Sequence, residues 1–150
     1  NAISGWEDKC NRAACAIIAS GYSTQTSTEL INYMNNNYSG AIYGAIPTKY
    51  WGAYNLKIDG YENPSNYIPK LKAQLTSGGY ALLWLNNGGT YIGKSGTVWT
   101  KQYHWVAIID YKYENGVDKI CVADWRGITW VDIDEFEIYG VAHAVYINEK

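Results

Sequence analysis

The chain has 150 residues and a mass of 16.8 kDa, the size of one compact domain spanning residues 1–150. Hydrophobic residues make up 47% of the chain and charged residues 17%, which excludes a disordered tail. The formal net charge of −2 excludes the broad basic field of a protein that binds nucleic acid or anionic lipid. No apolar run approaches the roughly 18 residues of a membrane span, so we expect no membrane insertion.

Helical signals dominate the first half of the chain. Asp8 is a candidate N-cap for a helix over Cys10–Ser20, and Gly21 is a candidate helix end. This segment is apolar nearly all round, which is typical of a buried central helix. Thr26, with Glu29 three residues later, forms a capping box that predicts a second helix.

Prolines mark two further helical segments. One is predicted over residues 47–54, where a proline occupies the first turn. The other opens at Pro64 and places Leu71 and Leu75 on one face. Pro69 lies in the first turn of this helix or breaks it.

Beyond Gly78-Gly79 the pattern changes from helices to strands. Asn115-Gly116, between two strand-like runs, is a hairpin signal. Helices followed by a mostly antiparallel sheet place the chain in the α+β class. The predicted strands are Tyr80–Leu85, His104–Tyr111, Lys119–Ala123, Thr129–Asp132 and Val141–Ile147.

The cysteines suggest a reactive thiol. Three cysteines cannot form a closed disulfide framework, so at least one is free. Cys10 opens the predicted helix, where the partial positive charge of the helix N-terminus lowers a thiol pKa. Lys9 and Arg12 add positive potential. Cys15 and Cys121 lie inside apolar runs and are interpreted as small buried side chains.

A nucleophilic cysteine needs a base and a group that orients the base. Of the two histidines, His104 begins a predicted strand, whereas His143 lies inside one and is interpreted as a packed or edge residue. Asp124 ends a neighbouring strand, where a carboxylate can fix the imidazole tautomer. Asp110 is the competitor, but it lies along the same strand as His104, roughly 20 Å away.

These segments resemble the papain superfamily of cysteine peptidases, and within it most closely the bacteriocin-leader (double-glycine) peptidase-like family. The family's helix begins with a run similar to Cys-Gly-Pro-Ala-Ala-Leu-Ala-Met, and its histidine starts a strand of the form His-aromatic-Val-hydrophobic. Its third residue stands in a strand-end Asp-Pro-like motif. The corresponding segments here are Cys10-Asn11-Arg12-Ala13-Ala14-Cys15-Ala16-Ile17, His104-Trp105-Val106-Ala107 and Asp124-Trp125.

The resemblance covers nearly the whole chain and implies a papain-like fold with a Cys10–His104–Asp124 triad. It implies a thiol hydrolase that acts on peptide or amide bonds through a thioester. The backbone N–H of Cys10 would donate to the oxyanion. Ser4 stands where the family carries a glutamine as the second donor.

Other residues are candidates for supporting roles at this site. Asn1, Ser4 and Gln102 are the candidate second donors to the oxyanion or contacts to the substrate. Trp105 and Trp125 are candidates for shielding the His–Asp bond or for contacting substrate. No cofactor and no metal is expected, because no Cys/His spacing suits zinc.

Alternatives remain open at this stage. The same thioester would serve a deamidase, a transglutaminase or an acyltransferase. The 15 tyrosines and 7 tryptophans also suit a non-catalytic module that binds a peptide or glycan. A start at Asn1 without methionine is typical of a secreted enzyme, an exporter domain or a bacterial toxin effector, and a toxin would imply a cognate inhibitor protein.

Overall fold

The described part of the chain comprises three helices and eight strands. The structure is a computed structural model that describes residues 10–37, 51–62, 67–85, 90–92, 98–100, 104–124, 127–134 and 141–150. In chain order its elements are α1 (Cys10–Ser20), α2 (Ser27–Asn37), β1 (Leu56–Glu62), α3 (Tyr67–Thr76), β2 (Tyr80–Leu85), β3 (Thr90–Ile92), β4 (Val98–Thr100), β5 (His104–Glu114), β6 (Val117–Asp124), β7 (Gly127–Asp132) and β8 (Val141–Glu149).

Six strands form one sheet in the order β1-β8-β2-β5-β6-β7. Every neighbouring pair in this sheet is antiparallel. Strands β3 and β4 pair with each other in a separate two-stranded ribbon. The predicted α+β class with a mostly antiparallel sheet is therefore confirmed.

Helix α1 has the predicted bounds and is built from small side chains. Its last turn closes with the N–H of Gly21 on the Ile18 carbonyl at 3.3 Å and the N–H of Tyr22 on the Ala19 carbonyl at 2.9 Å. Side chains this small allow the helix axis to approach the sheet closely. Five of them are at most 2% exposed, namely Ala13, Ala14, Cys15, Ala16 and Ala19.

Helix α2 begins at half of the predicted capping box. The Thr26 hydroxyl oxygen accepts the N–H of Glu29 at 3.2 Å. That hydroxyl also donates to the Glu29 carboxylate at 3.2 Å, so the carboxylate bonds the side chain of Thr26. The backbone N–H of Glu29, which has no acceptor within the first turn of the helix, is thereby hydrogen-bonded.

Helix α3 keeps Pro69 inside its first turn, where the missing N–H costs nothing. Leu71 and Leu75 are buried, as predicted. Pro64 and Asp8 lie outside the described residues. Within the segment predicted as a helix over 47–54, residues 51–52 are helical and the chain then turns into β1.

All five predicted strands are present, and β2 has the predicted bounds. The other four, β5 to β8, are longer than predicted by two or three residues each. Asn115 and Gly116 both have positive φ, 54° and 78°, which is the type I′ hairpin geometry that their sequence predicts. Strands β1, β3 and β4 were not predicted, because β1 carries a glycine and alternating charges and the other two are three residues long.

The sheet is buried on both faces. Along β5, Trp105 and Ala107 pack with the residues of α1, whereas Val106 and Ile108 pack with Leu71 of α3. The alternation follows from the two-residue period of a strand. Covering both faces fixes the register, because a slip of one residue would exchange the two sets of side chains.

Candidate active site

Two of the predicted site residues lie on neighbouring strands at one end of the sheet. Strands β5 and β6 are antiparallel, and Ala107 is the partner of Ala123. Continuing this register by one residue puts Asp124 opposite Val106, so positions 104 and 124 are diagonal neighbours. Diagonal positions in an antiparallel pair are about 7–8 Å apart, within reach of an imidazole and a carboxylate.

Asp124 is buried in an unusual way for a carboxylate. Its side chain is 1% exposed, and it is the only buried polar or charged residue among those whose side chains the structure describes. Asp124 is the last residue of β6 and pairs with Gly127, the first residue of β7, which has a φ of 131°. Because burial of a carboxylate is costly unless it is hydrogen-bonded or paired, Asp124 must be held by partners within the fold.

The competing carboxylate is in a different environment. Asp110 is exposed and pairs with Cys121 across β5 and β6, beside a bulge in the strand. Six residues of strand separate it from His104, as the sequence implied. An exposed carboxylate at that distance cannot orient the imidazole.

The direction of α1 is fixed by contacts at its C-terminal end. The hydroxyls of Tyr22 and Tyr80 are 2.7 Å apart, and the two rings meet edge to face with centroids 5.9 Å apart. Tyr80 begins β2, and Leu85 at the other end of that strand pairs with His104.

Helix α1 therefore starts near the candidate end of the sheet. Its 11 residues extend about 16 Å, close to the length of the six-residue strand β2. The helix packs on β5 and β6 through a cluster that includes Trp105 and Ala123. Cys10, at the N-terminus of α1, is thus carried to the end of the sheet where β5 begins and β6 ends. The positive end of the helix dipole lies there as well.

Trp105 lies on the α1 face at this end of the sheet, whereas the alternation along β5 and β6 assigns positions 104 and 124 to the face of α3. Trp105 is 2% exposed and stacks on Trp84 of β2, with ring centroids 5.4 Å apart and 29° between the planes. Burial of this extent argues against direct contact with a substrate. The sequence reasoning missed Trp84, although its place in a predicted strand next to Leu85 was a usable signal.

The other two thiols are buried, as predicted. Cys15 is fully buried and Cys121 is 5% exposed, and neither forms a disulfide. Burial, with a smaller effect from the charge of Asp110, raises the pKa of Cys121 to about 11. A thiol with so high a pKa is a poor nucleophile at neutral pH.

His143 lies in the interior of the sheet. Strand β8 pairs with β1 on one side and β2 on the other, and His143 is opposite Trp84. Strand β8 is therefore an interior strand of the sheet. It is separated from β5 by the width of β2, about 10 Å between backbones.

Several predicted contributors lie outside the described residues. These are Asn1, Ser4, Gln102 and Trp125. Within the described ranges there is no cluster of three or more His, Cys, Asp or Glu side chains that could hold a metal ion. No helix in the described part of the chain is long and apolar enough to cross a membrane.

No protein-family model matches the chain, and a search of curated proteins finds no match.

Proposed function

We propose that this protein is a papain-like cysteine peptidase that cleaves peptide bonds through a thioester on Cys10. One observation carries the proposal. The start of α1, the start of β5 and the end of β6 all lie toward one end of the sheet, and these three positions hold a cysteine, a histidine and a buried aspartate. This set matches the nucleophile, base and orienting group of a triad.

Each residue has a defined step in this mechanism. His104 takes the thiol proton, and the Cys10 sulfur attacks the scissile carbonyl carbon. The backbone N–H of Cys10 donates to the oxyanion. The intermediate collapses to a thioester as His104 protonates the departing amine. A water molecule, deprotonated by His104, then attacks the thioester and releases the carboxylic acid and the thiol. Asp124 orients the imidazole throughout.

The reactivity of Cys10 is the first test. We expect iodoacetamide to label Cys10 at pH 6–7 faster than an ordinary thiol of pKa about 8.5, because helix dipole and imidazolium stabilise the thiolate. Labelling is followed residue by residue with peptide-mapping mass spectrometry. Cys121, whose pKa is raised to about 11, is an internal control and stays unlabelled.

Two matched variants test the orienting role. Asp124→Asn should slow turnover by about 10²-fold or more, because the imidazole loses its fixed tautomer. Asp110→Asn, on the exposed carboxylate of the neighbouring strand, should leave turnover unchanged. Labelling of Cys10 no faster than that of glutathione at pH 6–7, or equal effects of the two variants, would contradict the triad.

The products distinguish the peptidase from its chemical relatives. Unfolded casein is incubated with wild type and with Cys10→Ala, and the mixture is analysed by mass spectrometry. We expect shorter peptides that are absent with the variant. A mass increase of about 1 Da on glutamine without cleavage would identify a deamidase instead, since the thioester intermediate is the same.

A further inference from the structure

The β3–β4 ribbon is attached to the sheet at the candidate site. Leu85 and His104 are direct partners in β2 and β5, so the chain leaves the sheet at one and returns at the other. The last residue of β4, Thr100, is four residues from His104. A fully extended chain spans at most about 3.6 Å per residue, so Thr100 lies within about 14 Å of His104.

The ribbon has edges that are suited to pairing. Its register runs without a bulge from Thr90 opposite Thr100 to Ile92 opposite Val98. Neither strand contains a charged residue or a proline. Within the described residues, each strand of the ribbon pairs only with the other. These edges lack the charges, prolines and bulges that oppose pairing with another strand.

A two-stranded ribbon is also marginally stable by itself in water, and a third strand stabilises it. The outer strand β1 of the main sheet shows the opposite character. It has a bulge between Ile58 and Gly60 and an ion pair of 3.4 Å between Lys57 and Asp59, both of which discourage pairing. The ribbon therefore lacks the protection that β1 has.

We infer that the β3–β4 ribbon is a substrate-binding arm on which an extended peptide adds as a third strand. The inference rests on the proposed function and specifies its substrate class. The substrate is a polypeptide in extended conformation, held by main-chain hydrogen bonds that tolerate many sequences. At about 3.3 Å per residue, about four residues bridge from the arm to the scissile bond. Side-chain amides on folded proteins and glycans do not supply such a strand.

The first experiment removes the arm. Residues 90–100 are replaced by four Gly and Ser residues, which the direct pairing of Leu85 with His104 makes possible without stretching the sheet. We expect cleavage of unfolded casein to fall about tenfold or more, the effect of losing one or two backbone hydrogen bonds, while the labelling rate of Cys10 stays within about twofold. Ile128→Ser, on the outer strand β7, is the control and should cleave casein like wild type.

The second experiment measures binding without turnover. Hydrogen exchange of Cys10→Ala is compared with and without unfolded casein, and we expect slower exchange in residues 90–92 and 98–100 but not in β1. The proposed role of the ribbon would be overturned if cleavage survived removal of the arm. It would also be overturned if casein did not slow hydrogen exchange in the ribbon. If Cys10 of the wild type is not activated but casein still slows exchange in the ribbon, the proposed peptidase activity is overturned and the role of the ribbon as a binding arm is retained.

Discussion

Among single residues, Asp118 has a carboxylate that is bonded to two other side chains. It accepts a short hydrogen bond from the Tyr111 hydroxyl and one from Lys72 Nζ at 3.0 Å. The bond from Tyr111, followed by that from Lys72, holds the pKa of Asp118 below its ordinary value. The same bond raises the pKa of Tyr111 to about 12.

These two shifts define a pH window. A lowered aspartate pKa contributes stability above the unfolded value of about 4, and this is lost as the pH falls through the folded pKa. A raised tyrosine pKa contributes stability below about pH 10, and this is lost as the pH rises through about 12. The pair therefore stabilises the fold most between these limits.

Tyr111→Phe should lower the free energy of unfolding by about 1–2 kcal/mol near pH 7, because a hydrogen bond to a charged group is removed. The difference from wild type should shrink at pH 3 and at pH 11–12. Urea unfolding at the three pH values measures it. Tyr113→Phe, two residues along the strand and 68% exposed, is the control and should match wild type. If Tyr111→Phe lowers the free energy of unfolding by the same amount at all three pH values, the proposed link between Tyr111 and the charge of Asp118 is excluded.

At the scale of elements, the turn from α3 to β2 is determined by two glycines with different requirements. Gly78 has a φ of 90°, which favours glycine for backbone reasons alone. A Cβ at Gly79 would lie 2.3 Å from the amide nitrogen of Gln74 and the amide oxygen of Asn148. Gln74 Nε2 donates to the Ile147 carbonyl at 3.0 Å, so the turn ties helix α3 to β8.

Helix α1 owes its position to the size of its side chains. Ala16 is 2% exposed and lies in the cluster between α1 and the sheet. Ala16→Leu should destabilise the protein by about 1–3 kcal/mol, because the added atoms force the helix from the sheet. Ala73→Leu, at an exposed position of α3, should change stability by less than about 0.5 kcal/mol. Thermal or urea unfolding of both variants tests this, and equal effects would contradict close packing.

On the scale of the whole molecule, the main sheet ends in two unlike strands. Strand β1 is protected by its bulge and its charges. Strand β7 pairs with β6 in a regular register and carries Ile128, which is 57% exposed. An exposed apolar residue on an outer strand is a site for association between molecules.

Ile128→Lys should therefore reduce self-association without lowering stability, because a charge on an outer strand opposes pairing. Light scattering over a concentration series measures the association. Tyr113→Lys is the matched control, since it replaces another exposed large side chain on the interior strand β5 and should scatter like wild type. Equal reductions by both variants would indicate a general effect of charge.

The sequence by itself determined what depends on local spacing. The bounds of α1 and β2, the hairpin at Asn115-Gly116, and the burial of Cys15 and Cys121 all follow from caps, turn residues and apolar periodicity. Cys10, His104 and Asp124 were chosen by residue type and by their positions at the ends of predicted elements. Their roles remain predictions.

The tertiary structure decided what depends on distant pairing. Strand order, the short strands β3 and β4, and the direction of α1 arise from contacts between segments far apart in the chain. The burial of Asp124 is of the same kind, because exposure depends on which elements cover a residue. Local patterns specify the conformation and the buried face of a segment, whereas the partner of that face is selected by packing and hydrogen bonding over the whole chain.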